Sequence, residues 1–81
     1  MVARIRVTLK RGVLDPQGKA VQQGLALLGF EGVEEVRIGK YIEVKLSGLS
    51  RDEAERRVQA MCERLLANPV IEDFRFEINH V

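Results

Sequence analysis

Two segments of the chain alternate between apolar and polar residues with the period of two that is typical of a β-strand. The first runs from Ala3 to Lys10, with apolar residues at the odd positions and polar residues at the even positions. The second is near the end of the chain, where Phe74, Phe76 and Ile78 alternate with charged residues. We therefore predict a first and a last strand, each with one buried face and one face toward solvent.

Apolar residues also recur on both sides of Gly39 and Lys40 in the middle of the chain. They are Val33, Val36 and Ile38 before this pair and Ile42, Val44 and Leu46 after it. A glycine can adopt the positive φ that a tight hairpin turn requires. The pattern therefore predicts two further strands, joined at Gly39-Lys40 as an antiparallel hairpin.

A first helix is predicted between Asp15 and Gly29. Asp15 suits the N-cap, where its carboxylate accepts from unpaired amides, and Pro16 suits the first helical position, which needs no amide donor. The apolar residues that follow lie on one side of a helix: Ala20, Val21, Gly24, Leu25 and Leu28. Gly29 is placed for a left-handed C-terminal cap of the Schellman type, in which Phe30 folds back toward Leu25.

A second helix is predicted to begin at Ser50. Ser50 and Glu53 have the spacing of a capping box, in which each side chain bonds the other residue's backbone amide. The apolar stripe that follows is Ala54, Val58, Met61, Cys62 and Leu65. Asn68-Pro69 ends the helix, because proline cannot continue one.

The predicted order is β-α-β-β-α-β, which is typical of a ferredoxin-like α+β sandwich. In that fold one mainly antiparallel four-stranded sheet carries both helices on a single face. The other face would present Arg4, Arg6, Thr8, Lys10, Tyr41, Glu43, Lys45, Arg75 and Glu77. This mixture of charges fits either a solvated surface or a polar surface that meets another subunit.

Length and composition limit the possible classes of protein. The 81 residues, 46% hydrophobic and 31% charged, suit one globular domain over residues 1–81 with a small core. A core of this size leads us to expect self-association, as a dimer or a dimer of dimers. The formal net charge of +1 provides no field for nucleic acid or an anionic membrane. No apolar run is long enough to span a bilayer, and Met1 to Val7 is a strand pattern broken by charges, so we expect a cytoplasmic protein.

The sequence contains few candidates for catalytic or metal-binding residues. Cys62, the one cysteine, lies on the apolar side of the second helix, and His80, the one histidine, lies next to the C-terminus. Gly12 and Gly18 do not have P-loop spacing, and Asp15 would occupy the amides that a phosphate needs. The strands that bind RNA in ferredoxin-like folds offer only Tyr41 for base stacking. We predict no catalytic residue, no cofactor site, no metal site and no nucleic-acid partner.

Four blocks together resemble the PurS family, the small subunit of the multi-subunit phosphoribosylformylglycinamidine synthase of purine biosynthesis. They are Lys10 to Gly18, Leu28 to Phe30, Val36 to Lys40, and Asn68 to Asp73. Each block consists of residues typical of a turn or a helix cap and is weak evidence for the family alone. The four blocks in this order, within a chain of this length, are specific evidence for it. The resemblance runs along nearly the whole chain.

The resemblance implies a subunit with no active site of its own. In such a synthase a glutaminase subunit releases ammonia, and a large subunit, which uses ATP and Mg, adds it to formylglycinamide ribonucleotide to form formylglycinamidine ribonucleotide. PurS dimers help to dock the two. Exposed turn residues of the matching blocks are our candidate partner contacts: Arg11, Gln17, Arg37, Lys40, Tyr41 and Asn68. The alternative is a regulatory ferredoxin-like domain that binds a small metabolite.

Overall fold

The computed structural model describes residues 1–80 and contains three strands and two α-helices. Strand β1 is Val2–Leu9, helix α1 is Pro16–Leu27, and strand β2 is Gly39–Lys45. Helix α2 is Arg51–Met61 and continues into a π-helical turn at Cys62–Leu66, before strand β3 at Glu72–Asn79. The chain is therefore a small α+β fold.

Strand β1 is the centre of the sheet, with β2 and β3 antiparallel on either side of it. Its inward residues Ile5 and Val7 are fully buried. They form one core with α2, which contributes Val58 and Cys62, also fully buried. The odd-numbered apolar residues of β1 thus face α2, as their alternation predicts.

The prediction of a four-stranded, ferredoxin-like sheet was not confirmed, because the hairpin at Gly39-Lys40 does not form. Gly39 lies inside β2, opposite Thr8, and its φ is not positive. A Cβ at this position would collide with the carbonyl oxygen of Val7. The glycine is therefore required by the close approach of β1, and not by a turn.

Residues 33–38, predicted as a strand, instead lie along the start of α1. The amide of Ile38 donates to Asp15 Oδ2 at 2.8 Å, and Gln22 Nε2 donates to the carbonyl oxygen of Glu34 at 3.1 Å. The carbonyl oxygen of Val36 lies so close to Gly18 that a Cβ there would collide with it. Side chains of α1 and its cap therefore bond the backbone that a neighbouring strand would have bonded.

The predicted caps of α1 were confirmed at both ends. Asp15 Oδ1 accepts from the amide of Gly18 at 2.8 Å. At the other end Gly29 has a φ of 89°, and its amide donates to the carbonyl oxygen of Ala26 at 3.1 Å. The amide of Phe30 donates to the carbonyl oxygen of Leu25 at 3.0 Å, which completes a Schellman motif.

Helix α2 begins at Ser50 as predicted, with half of the capping box in place. The amide of Glu53 donates to Ser50 Oγ at 3.2 Å, while the Ser50 hydroxyl donates to the Glu53 carboxylate at 3.1 Å. The helix ends before Asn68, where the amide of Ala67 donates to the carbonyl oxygen of Cys62 at 3.0 Å. This bond spans five residues and is the π-type bond of the last turn.

Only α2 covers the sheet, so the expectation of two helices on one face was not confirmed. Gly18 is the one buried residue of α1, and the helix extends away from the strands. The radius of gyration is 16.1 Å, against about 12 Å for a compact chain of this length. The molecule measures 50 × 29 × 15 Å. An isolated helix as short as α1 has only marginal stability in water. None of the helices in residues 1–80 is long and apolar enough to cross a membrane.

Candidate protein interaction surface

Helix α1 carries a row of apolar side chains that nothing in residues 1–80 covers. Leu14, just before the helix, is 75% exposed and Leu28, at its end, is 76% exposed. Val21 lies midway between them in the sequence; two helical turns place Val21 and Leu28 on one side of the helix, and Leu14 precedes the N-cap. We call Leu14, Val21 and Leu28 the α1 apolar row. Sequence periodicity marked Val21 and Leu28 as apolar-face residues but did not show that this face points away from the sheet.

The apolar face of the sheet is also incompletely covered. Ile42 and Val44 of β2 and Phe74 and Phe76 of β3 pack against the core but are only partly buried. Because α2 lies over the centre of the face and α1 lies elsewhere, these side chains form an open apolar margin on the two opposite edges of the face. Within residues 1–80, the α1 apolar row and this margin are therefore apolar surfaces that no other part of the chain fully covers.

Asp15 sets the position of α1 relative to β2. Its two carboxylate oxygens accept from the amides of Ile38, just before β2, and of Gly18, in the first turn of α1. Both bonds favour the ionised carboxylate, so they hold the pKa of Asp15 below its usual value, the bond from Ile38 most strongly. The sequence predicted the cap but not the second bond, because nothing in it shows that Ile38 lies nearby.

Two of the predicted contact residues lie together beside this junction. Gln17 and Lys40 line a surface hollow of about 240 Å³ between the start of α1 and the start of β2. Lys40 Nζ lies 3.8 Å from Glu72 Oε2, and most of the lysine side chain is exposed. The Glu72 side chain is mostly buried, so only the lysine end of this pair is open to solvent and to contact with a partner.

The other predicted contact residues are dispersed. Arg37 donates to the carbonyl oxygen of Leu9, and Tyr41 lies on the polar sheet face with Arg6 5.5 Å from its ring centre. Arg11 is exposed in the turn after β1. Asn68 organises its own turn, where its side chain accepts from the amide of Val70 at 3.1 Å. The structure thus brings Gln17 and Lys40 together and leaves the remaining four positions as predictions.

Cys62 and His80 lie in environments that do not favour nucleophilic chemistry. Burial raises the pKa of the Cys62 thiol, and the nearby Glu63 carboxylate raises it further. His80 is exposed beyond the end of β3. Among residues 1–80 no group of three histidine, cysteine or acidic side chains is arranged to hold a metal ion.

An extended α+β chain whose helix α1 is left largely uncovered by residues 1–80 has the features of a small binding subunit. The family model of PurS, described as phosphoribosylformylglycinamidine (FGAM) synthase, matches residues 2–80. The chain belongs to this family, and the resemblance seen in the sequence is confirmed. It is a PurS-type subunit of FGAM synthase, a glutamine-dependent ligase that uses ATP.

Relatives match along nearly the full chain. The FGAM synthase subunit PurS of Synechocystis is 55% identical over 93% of this chain and 75% of its own length. The Bacillus subtilis subunit is 49% identical over 96% of this chain and 92% of its own length. A crystal structure of Bacillus subtilis PurS superimposes with a TM-score of 0.87, at 47% identity over 98% of each chain.

One structural neighbour comes from an assembly. A chain in the structure of PurLQS from Thermotoga maritima has a TM-score of 0.81 and 28% identity, over 95% of this chain and 96% of its own. This neighbour shows that a fold of this kind occurs within a multi-subunit complex.

Proposed function

We propose that the chain docks the glutaminase subunit of an FGAM synthase onto its large synthetase subunit. Full-length similarity to PurS subunits, one of them in PurLQS, is the observation that carries this proposal. The exposed α1 apolar row agrees with a binding role. The chain itself holds no cofactor, and the ATP and Mg of the reaction belong to the large subunit in the cytoplasm.

The contribution to catalysis is one of position. Ammonia released by the glutaminase must reach the synthetase before it equilibrates with water. A subunit that fixes the two active sites in register converts an encounter in solution into transfer within one assembly. The reaction then uses glutamine efficiently although this chain touches no reacting atom.

Self-association is the second part of the proposal, and a second copy of the chain is the partner that covers α1. Each chain has an apolar row on α1 and an open apolar margin on its sheet, formed by Ile42, Val44, Phe74 and Phe76. A twofold dimer in which each α1 packs on the other chain's margin would bury both surfaces twice. This arrangement also explains the elongated shape, which a lone monomer does not stabilise.

The hollow beside Gln17 and Lys40 is our choice for contact with another type of subunit. It lies at the base of α1, where the direction of the helix is fixed by Asp15. Arg11, Arg37, Tyr41 and Asn68 remain further candidate contacts. A dimer formed through α1 would therefore present two such hollows.

Reconstitution with the two partner subunits tests the docking role. FGAM formation is measured with glutamine and, separately, with ammonium, each with and without this chain. We expect the glutamine-dependent rate to require the chain and the ammonium-dependent rate to change little. Equal glutamine-dependent rates with and without the chain would refute the proposal.

A further inference from the structure

The polar face of the sheet contains a depression that shares one residue, Arg37, with the candidate docking contacts, while its other lining residues have no part in the proposed docking role. Its volume is about 360 Å³, and it is lined by Arg6, Thr8, Arg37, Asp73, Phe74 and Arg75. The face lies on the side of the sheet away from α2, because its residues alternate with those that pack in the core. The depression is within the range of small-molecule sites.

Like charges stand side by side in this depression. Arg6 on β1 and Arg75 on β3 are directly opposed in the antiparallel register. Directly opposed like charges destabilise a sheet, and both side chains point to the same face. One row away, Arg4 has the opposite arrangement, with Glu43 opposite it on β2 and Glu77 opposite it on β3. The arginine pair therefore stands out from the charge pattern of the same strands.

Neighbouring groups contact two of the guanidinium groups, that of Arg6 on β1 and that of Arg37 just before β2. Arg6 lies 5.5 Å from the ring centre of Tyr41, and its Nη1 is 3.8 Å from Glu77 Oε1. Arg37 donates to the carbonyl oxygen of Leu9. Arg75, in contrast, makes no ion pair within residues 1–80 and retains its donors. Because a planar guanidinium held in one orientation loses less entropy on binding, the site is partly preorganised.

We infer that this depression binds the phosphate group of a small phosphomonoester. The lining contains three guanidinium groups and one carboxylate, that of Asp73, and a second carboxylate, that of Glu77, lies 3.8 Å from Arg6, so positive charge exceeds negative charge by one. A phosphomonoester is close to a dianion above pH 7 and offers three terminal oxygens to the guanidinium groups, whereas a carboxylate carries one charge and offers two oxygens. Arginine forks and the Thr8 hydroxyl are donors that suit phosphate oxygens.

The test uses the full isotopically labelled chain without partner subunits, so its failure is independent of the docking proposal. Glycerol 3-phosphate and inorganic phosphate are titrated at pH 8, and amide and arginine Nε resonances are followed by NMR. We expect saturable shifts at Thr8, Arg6 and Arg75. In Arg75→Gln the affinity should fall about tenfold, the cost of one charged hydrogen bond. Arg56→Gln, at an exposed position of α2, is the matched control and should bind as the unmodified chain does.

Three results would overturn the inference. They are equal affinity for acetate and glycerol 3-phosphate, equal weakening in Arg56→Gln, and a phosphoserine peptide that binds more than tenfold tighter than glycerol 3-phosphate. The last would assign the site to a phosphorylated protein. Thermal unfolding establishes that each variant is folded, and Thr8→Val, which removes one hydroxyl donor, replaces Arg75→Gln if that variant is not.

Discussion

Replacing Leu28 by glutamine tests whether the α1 apolar row forms an interface between two copies. Full burial of a leucine side chain contributes about 1.5–3 kcal/mol, and about three quarters of that remains to be gained where the side chain is 76% exposed. A twofold dimer contains the substitution twice. Leu28→Gln should therefore cost about 2–4 kcal/mol per dimer, which raises the dissociation constant of the dimer about 30- to 1,000-fold.

Sedimentation equilibrium over a range of concentrations measures this constant. Glutamine has a helix propensity close to that of leucine, so the helix itself should be little changed. Gln23→Ala is the control, because Gln23 is exposed and lies about 140° around the helix from Leu28. If Leu28→Gln dimerises as tightly as Gln23→Ala, the reasoning that places α1 in the interface is wrong.

Three further predictions concern single side chains. Asp15→Asn keeps a side-chain oxygen for the cap, but its NH2 group, a donor, would face the amide of Ile38, which is also a donor. At neutral pH the variant should therefore unfold at a lower temperature than the unmodified chain. Because the pKa of Asp15 is lowered, its ionised form stabilises the fold above about pH 4, and the difference should shrink as the pH falls below that value. An equal difference at pH 2 and pH 7 would count against this explanation. Gly39→Ala should destabilise the chain by about 1–3 kcal/mol or more, measured by urea unfolding, because the added Cβ meets the carbonyl oxygen of Val7. An unchanged urea midpoint would show instead that the strands can move apart. Cys62 should resist iodoacetamide at neutral pH until urea unfolds the chain; rapid labelling of the native protein would contradict its burial and raised pKa.

Local chemistry made the ends of the helices predictable from sequence. Asp15 and Gly29 act through bonds to residues three positions away, and Pro16 acts through its own fixed φ, so their positions along the chain are sufficient evidence. The alternation in β1 and β3 was similarly reliable, because one face of each strand packs in the core.

The prediction of a hairpin at Gly39 was wrong for a reason that the sequence cannot show. A glycine serves a positive φ or a close approach equally well, and only the position of Val7 across the sheet distinguishes the two. Likewise, the pattern of α1 indicates an apolar face but not which molecule covers it. The opposition of Arg6 and Arg75 required the strand register, which depends on contacts between distant parts of the chain.

Competition between two nitrogen sources tests the docking role most directly. The three subunits are supplied with glutamine labelled with ¹⁵N at its amide and with an excess of unlabelled ammonium, and the label in FGAM is measured by mass spectrometry. With this chain present, we predict that the product carries glutamine nitrogen well above its share of the free ammonia pool. Without the chain, the label should fall to that share. A product whose label is the same with and without the chain would contradict a subunit that holds the two active sites in register.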